Sequence, residues 1–316
     1  MKKAGKIITV GLCPSWDVVC RFEGIEWGEH KLADSVTCRP AGKAMNISRA
    51  LAWMGEKNTA AGLWGRDDYE QMKKAMRGLR GQVTVKMTAV EEATRRNVTV
   101  VDTANYREMH LRFRCPLASR KSIRRLRADL KKIITQDSAC VFAGLMPDSE
   151  FLDGVVRIVH DCRARGAKIV VDTYGAALRR IVDAGLAWMI KPNVDELREL
   201  LGEDVPDRPA SLAKATRRLL GKVEIVLISR GRRGAVVVTP DGAWQGRCLG
   251  RGRVLSTVGC GDYLLGGFLK GLVETPNPAS ALSIALKVAT ARAWGWTEEK
   301  TWVQAQRLVK IEVRRV

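Results

Sequence analysis

The sequence has only three histidines, and none of its eight cysteines lies in a C-x-x-C pair. Without paired thiols or an H-E-x-x-H segment, it lacks the usual ligand patterns of a zinc site. It also lacks an apolar run of the roughly 20 residues that a membrane-spanning helix requires. The cysteines lie mostly among apolar neighbours, which is typical of reduced thiols in the cytosol. We therefore expect a cytoplasmic protein with no membrane partner.

Acidic residues are scarce: the sequence has 34 of them and 54 lysines and arginines, which gives a net charge of +20. Such an excess attracts nucleic acid and other polyanions without any specific site. However, the basic residues form many short clusters without the interleaved aromatic side chains on which bases stack. We expect no specific nucleic-acid partner and interpret the charge as a solvated surface that favours anionic substrates.

At 316 residues and 46% hydrophobic composition, the chain can bury a sizeable core. We expect one domain over residues 1–316. Short β-rich runs alternate with helical patterns, which predicts βαβ units around a parallel sheet. The predicted strands are Ile7–Leu12, Thr59–Leu63, Ala139–Ala143, Lys168–Asp172, Ala187–Ile190, Glu224–Ser229 and Ala235–Thr239, and two predicted helices are Ser149–Arg165 and Tyr174–Val182.

Two segments, about 17–38 and 95–115, break this alternation, because polar and apolar residues alternate there without intervening helices. They could form a small accessory sheet that covers the carboxyl ends of the main strands, where ligands bind in α/β proteins. Two ordinary surface hairpins explain the same pattern.

The segment from Leu255 to Leu272 carries the clearest chemical signal. Gly259 and Gly261 lie in a turn that opens an apolar-faced helix, where converging N–H groups and the helix dipole favour an anion. Asp262 falls in the first turn of this helix. Its carboxylate could cap the helix or accept a proton from a hydroxyl group during phosphoryl transfer, and the local pattern leaves both roles open. The segment is neither a Walker loop nor a G-x-G-x-x-G turn, since Leu264 occupies the third glycine position.

Four segments in the same order resemble the ribokinase-like (PfkB) carbohydrate kinases, and the resemblance covers nearly the whole chain. The first resembles the family's Gly-Gly-Lys-Gly-x-Asn segment, and the last its Thr-x-Gly-Ala-Gly-Asp signature, with Cys260 in place of alanine. The second and third resemble its Lys-Pro-Asn-x-x-Glu-Leu element and its nucleotide-side glycine turn. In this chain the four segments are Ala41–Ala52, Lys191–Leu197, Ser229–Ala235 and Thr257–Asp262.

The resemblance implies a ribokinase-like α/β fold, a parallel sheet between helices with a small β-sheet lid, and an ATP- and Mg²⁺-dependent kinase. It implies Asp262 as the base, with an anion site at Gly259, Cys260 and Gly261. The implied substrate-binding residues are Asp17, Gly42, Lys43, Asn46, Arg95 and Asn97. The implied nucleotide-binding residues are Lys191, Asn193, Ser229, Gly231, Gly234 and Thr257, and Asn193 and Glu196 would hold Mg²⁺ through water.

Several of these residues also have an ordinary structural explanation. Asp17 could be a plain loop residue, and Lys43 and Asn46 could be solvated positions at a helix start. Helix capping explains Asn193. A tight hairpin turn explains the glycines of the 229–235 segment equally well.

The segment Thr94-Arg95-Arg96-Asn97-Val98 resembles the phosphosugar branch of the family, which includes 1-phosphofructokinase and tagatose-6-phosphate kinase. An arginine and an amide on a lid strand can grip a phosphate. We therefore expect a phosphorylated ketohexose as substrate. The alternatives are a kinase of an unphosphorylated sugar or nucleoside, and a nucleic-acid-binding protein on a kinase scaffold.

The sequence differs from the family pattern at two positions of the expected substrate pocket, where Ala41 and Ala44 replace glycines. The added methyl groups would narrow or reshape the pocket, so the identity of the sugar stays open. The resemblance also raises a homodimer formed through the lids as an expectation.

Overall fold

The computed structural model describes residues 5–79 and 81–316. Its strands are β1 Ile7–Gly11, β2 Ser15–Phe22, β3 Ser35–Ala41, β4 Asn58–Gly65, β5 Val83–Val90, β6 Arg96–Asp102, β7 Arg107–Leu111, β8 Ala139–Ala143, β9 Lys168–Asp172, β10 Met189–Ile190, β11 Ile225–Ser229, β12 Ala235–Thr239, β13 Gly242–Cys248 and β14 Ile311–Arg315. Its α-helices are α1 Lys43–Trp53, α2 Tyr69–Arg77, α3 Arg120–Ile133, α4 Leu152–Ala164, α5 Gly175–Asp183, α6 Val194–Leu201, α7 Pro209–Thr216, α8 Cys260–Glu274, α9 Pro278–Ala293, α10 Trp296–Glu299 and α11 Trp302–Leu308.

The main sheet has the strand order β14-β13-β12-β11-β10-β9-β8-β1-β4-β5. From β11 to β5 every neighbouring pair is parallel, whereas β12, β13 and β14 continue the sheet as antiparallel strands. The predicted α/β fold with a mainly parallel sheet is confirmed. The chain leaves β1 for β4 on one side and returns to β8 on the other, so β1 lies at a topological switch point.

The predicted element bounds differ from the structure mainly at their ends. Strand β10 is only Met189–Ile190, although the N–H of Trp188 already donates to the carbonyl of Ile169 at 2.8 Å. The predicted helix 149–165 begins as a 3₁₀ turn before α4, and Tyr174 is the N-cap of α5 and not its first residue.

Both faces of the main sheet are covered by helices, because successive strand residues point to opposite faces. Ile8 and Phe142 pack with residues of α3 to α7, whereas Ile7 and Val141 pack with α1, α8 and α9. Within residues 5–79 and 81–316, we find no helix that combines the length and the hydropathy needed to cross a bilayer.

The two segments that break the helical rhythm form a second sheet of four strands, in the order β3-β2-β6-β7. Trp16 of this small sheet packs edge-to-face on Trp64 of β4, with ring centroids 5.5 Å apart, which ties the small sheet to the main one. Strand β3 ends at Ala41 and passes directly through Gly42 into α1. This short connection fixes the position of the small sheet relative to α1.

Candidate active site

A cavity of about 630 Å³ lies between the small sheet and the carboxyl edge of the main sheet. Gly11 at the end of β1 and Ala143 at the end of β8 form part of its wall, so it opens at the topological switch point, where α/β proteins bind ligands. Its lining includes eight of the predicted site residues: Asp17, Gly42, Lys43, Asn46, Arg95, Asn97, Gly259 and Asp262.

Two helices begin at this cavity, and a glycine precedes each of them. Gly42 has φ 107° and Gly259 has φ 80°, backbone conformations that residues with a Cβ rarely adopt. The first turns of α1 and α8 leave N–H groups without intrahelical partners, and their dipoles add positive potential. The cavity is therefore suited to anionic groups.

Asp262 and Asn46 meet in the cavity, although 216 positions separate them in the sequence. The Asn46 amide donates to Asp262 Oδ2 at 2.7 Å, and Asp262 is only 6% exposed. This bond occupies one carboxylate oxygen. Among the described residues no backbone N–H of α8 donates to the Asp262 side chain, so this carboxylate does not cap the helix, and its role as a proton acceptor stays a prediction.

Asp172 lies at the end of β9 and is a central residue that the sequence interpretation did not assign. Its Oδ1 atom accepts from Lys43 Nζ at 2.9 Å and from Lys191 Nζ at 3.2 Å, and the carboxylate is fully buried. Among the described residues its Oδ2 atom has no hydrogen-bond partner. A charged residue at the carboxyl end of a buried strand is the signal that could have identified it.

These charges set the ionisation of Asp262. Burial, followed by the negative charge of Asp172, raises the pKa of Asp262 to about 7, against the opposing effects of Asn46, Lys43 and Lys191. For Lys43, burial lowers the pKa, but the charge of Asp172 and its hydrogen bond outweigh burial, so the pKa is raised. Asp262 thus changes charge near neutral pH, whereas Lys43 stays positive.

The turn before Asp262 carries the predicted anion site. The N–H of Cys260 donates to the carbonyl of Thr257 at 3.3 Å, whereas within the described part of the chain the N–H groups of Gly259 and Gly261 have no partner. Lys191 lies close by, since a Cβ on Gly261 would be 3.7 Å from Lys191 Nζ. Burial raises the pKa of the Cys260 thiol to about 11, so this thiol is neutral at pH 7.

Three polar side chains of the small sheet, Ser15, Asp17 and Asn97, also line the cavity. Ser15 Oγ donates to Asp17 Oδ1 at 3.0 Å, and the Asn97 amide donates to Ser15 Oγ at 3.0 Å. The register of β2 and β6 pairs Asp17 with Asn97 directly. Carboxylate, amide and hydroxyl groups in one place are suited to bind the hydroxyls of a polar ligand.

Arg95 lies just before β6 and not within a strand. Its guanidinium donates to the carbonyls of Cys13 at 2.9 Å, Pro14 at 3.2 Å and Phe113 at 2.6 Å. These bonds join the end of β1 to the small sheet. In this arrangement the predicted phosphate-gripping arginine positions the backbone around the cavity.

Two arginines and a histidine also line the cavity, and the sequence interpretation gave them no role. His110, Arg112 and Arg114 occupy alternate positions on β7 and the segment that follows it. Within residues 5–79 and 81–316, Arg112 and Arg114 have no acidic partner within 4.0 Å. Their alternation along the segment 110–114 is the signal that the sequence contained.

The predicted nucleotide-binding residues lie outside the lining of this cavity. Lys191 and Asn193 follow β10, and Ser229 ends β11. Gly231 and Gly234 lie in the turn between β11 and β12, and Thr257 precedes α8. Asn193 Oδ1 accepts from the N–H of Glu196, and Glu196 Oε2 accepts from that of Asn193, both at 2.8 Å. The pair is therefore a capping box. The sequence offered capping as an explanation of Asn193 alone, and the part played by Glu196 comes from the structure. A β-bridge joins Asn193 to Ser229.

Different local constraints apply to the two glycines of the 229–235 segment. Gly231 has φ 55° and open space around it. Gly234 has φ 86°, and a Cβ there would lie 2.0 Å from the carbonyl oxygen of Gly246. Strand packing thus explains Gly234 without a ligand.

Ala41 and Ala44, which replace family glycines, are both buried and both line the cavity. A Cβ on Gly11 would be 3.2 Å from the Ala44 methyl group. The methyl group therefore occupies space beside β1 at the floor of the cavity.

Comparison with known proteins adds three findings. The model of the pfkB family carbohydrate kinases matches residues 4–293. The 1-phosphofructokinase of Haemophilus influenzae is 27% identical over 290 residues, which are 88% of this chain and 89% of that protein. The 1-phosphofructokinase of Bacillus subtilis is 26% identical over 313 residues, which are 98% of this chain and 100% of that one.

Solved structures agree on the fold. Phosphofructokinase-2 of Escherichia coli, in complex with substrates and products, superposes with a TM-score of 0.88 at 22% identity, over 96% of this chain and 98% of that one. A possible 1-phosphofructokinase of Thermotoga maritima superposes with a TM-score of 0.79 at 22% identity, over 99% and 100% of the two chains.

Proposed function

The chain belongs to the pfkB family of carbohydrate kinases, and we propose that it transfers the γ-phosphoryl group of ATP to a hydroxyl of a phosphorylated ketohexose. The observation that carries this proposal is the bond from Asn46 to buried Asp262 inside a cavity that also contains Asp17 and Asn97. The curated relatives named 1-phosphofructokinase and the structure with fructose-6-phosphate support the substrate class.

Asp262 acts as the general base. Asn46 occupies Oδ2, which leaves Oδ1 to accept the proton of the sugar hydroxyl as its oxygen bonds to the γ-phosphorus. The bond between that phosphorus and the oxygen of the leaving diphosphate breaks, and ADP departs. A pKa near 7 suits this role, because the base is then partly ionised at neutral pH and still binds a proton well.

The transferred group would be stabilised by the N–H groups of Gly259 and Gly261 and by the ammonium of Lys191. Each such donor is worth about 2.7–4 kcal/mol of transition-state stabilisation. Asn193, Ser229, Gly231, Gly234 and Thr257 would border the nucleotide, as the family motifs imply. The segment 95–115 with segment 17–38 would act as a lid that excludes water.

The residues near Lys43 fit magnesium held mainly by phosphates and water. Glu196 uses only Oε2 in its capping box, which leaves Oε1 available to bind a metal-bound water. Its negative charge also helps to raise the pKa of Lys43, so it acts on the charges of the site. Among the described residues no three acidic, histidine or cysteine side chains cluster as a metal site. Phosphate oxygens and waters would supply the remaining ligands, and the ion would offset the charge of the transferred phosphates.

We expect Asp262→Asn to keep nucleotide affinity and to lower phosphoryl transfer by about 10²–10⁴. In the wild-type protein the rate should rise with pH through about 7, because the base must lose its proton, and this rise should disappear in the variant. Coupled ATP-consumption assays with fructose 1-phosphate, fructose 6-phosphate and tagatose 6-phosphate measure both effects.

Cys260→Ala is the matched control, because it changes the neighbouring side chain and keeps the backbone N–H. It should leave the rate nearly unchanged. Near-normal turnover in Asp262→Asn would contradict the general-base role and would mean that this carboxylate is only structural.

The phosphate of the sugar would lie near Arg112 and Arg114, with Arg95 and Asn97 holding the walls around it. A charged hydrogen bond is worth about 1.5–3 kcal/mol, so Arg112→Ala with Arg114→Ala should raise KM for the phosphosugar at least about tenfold and leave KM for ATP unchanged.

Arg120→Ala with Arg124→Ala removes the same charge from the exposed side of α3 and serves as the control. An unchanged KM for the phosphosugar, together with turnover of an unphosphorylated sugar or nucleoside, would favour the alternative kinase over this proposal.

We also propose that two chains pair through their small sheets. Val36, Cys20, Val100 and Met109 lie in one cross-strand row over all four strands, and Val36 and Met109 are 60% and 44% exposed. An exposed apolar row is typical of an interface. Sedimentation equilibrium should give a dimer mass that Val36→Asp with Met109→Asp halves, whereas a monomeric wild-type protein would contradict the pairing.

A further inference from the structure

A second cavity, of about 450 Å³, lies at the antiparallel end of the main sheet, beside the start of α7. Its wall contains five arginines, Arg230, Arg232, Arg233, Arg247 and Arg314. We call it the arginine cavity. The proposed function assigns no role to any of these five side chains, although Arg230, Arg232 and Arg233 lie in the 229–235 segment.

Strand alternation puts this cavity on the opposite face of the sheet from the helix that carries Asp262. A Cβ on Gly246 would be 2.5 Å from Leu286 of α9, so Gly246 faces α9 and its neighbours Gln245 and Arg247 face away. The register of β13 and β14 pairs Gln245 with Arg314. The arginine cavity is therefore separate from the cavity around Asp262.

The charges in the arginine cavity are not balanced. Arg230 and Arg233 share the single carboxylate of Asp207, and Arg247 Nε pairs with Glu312 at 2.9 Å. These five arginines thus face two carboxylates, which leaves three positive charges in excess.

Two of the five arginines have no acidic partner at all among residues 5–79 and 81–316. Arg232 makes no ion pair there. Within the same residues the guanidinium of Arg314 pairs with the amide of Gln245, whose oxygen, when it faces the arginine, accepts from Nη2 at 3.2 Å and from Nε at 2.5 Å. Converging guanidinium groups in a concave site raise the local potential and attract anions.

We propose that the arginine cavity binds a small molecule that carries a chain of two or more phosphate groups. Guanidinium groups bind phosphate oxygens in pairs through parallel N–H donors, so several arginines suit several linked phosphates better than one. The volume suits a small molecule and not a folded partner.

Occupancy of this cavity has a consequence for the neighbouring turn. Arg232 and Arg233 lie between Gly231 and Gly234, the glycines assigned above to the nucleotide side. A ligand held by both arginines would restrain this turn and change KM for ATP. This consequence rests on the proposed function, whereas the binding itself does not.

Calorimetric titration with inorganic tripolyphosphate at fixed salt tests the binding. We compare the wild-type chain with Arg247→Ala plus Arg314→Ala, and with Arg120→Ala plus Arg124→Ala, which loses the same charge on α3. The ion pair of Arg247 is exposed and contributes little stability, so the first variant should fold, as its thermal unfolding can verify.

We expect the arginine-cavity variant to lose one binding site, or to bind at least about tenfold more weakly, while the control variant binds like the wild-type chain. Equal isotherms for all three proteins would overturn the proposal. Equal weakening in both variants would also overturn it, because binding would then be spread over the basic surface. Arg232→Ala, in an exposed turn, provides a second variant with the same expected direction.

Discussion

The site depends on keeping two carboxylates buried close to the same pair of lysines. An unpaired charge in a protein interior is costly, and Asp172 is tolerated because Lys43 and Lys191 both bond its Oδ1 atom. Those lysines come from the start of α1 and the end of β10, so the ion cluster fixes a helix and two strand ends relative to each other. Asp262 is buried beside this cluster, and burial together with the negative charge of Asp172 raises its pKa although Lys43 and Lys191 oppose the rise.

Two glycines make this cluster possible. Gly42 and Gly259 let the chain turn sharply into α1 and α8, and the first turns of both helices face one cavity. Asn46 and Asp262 can meet there only because these two helices pack side by side against the same face of the sheet. The catalytic proposal therefore rests on packing that lies well outside the motif around Asp262.

Much of this arrangement could be predicted from the sequence, because the family motifs mark strand ends and helix starts. The strand at 139–143 and the one at 168–172 have the predicted bounds. The partners of each side chain could not be predicted, since they are contacts between distant segments. The sequence placed Asp172 at the end of a predicted strand without a role, and it could not show that Arg95 donates to three carbonyls beside the cavity. Whether Asn193 caps a helix was decided only by the geometry of its bond to Glu196.

The pKa of Asp262 in the folded protein tests this account most directly. An NMR titration of its carboxyl carbon, assigned through the signal that Asp262→Asn removes, should give a midpoint near 7. In Asp172→Asn the midpoint should fall, because the repelling charge is gone and both lysines are released. A wild-type midpoint near the ordinary aspartate value of about 3.9 would contradict the account.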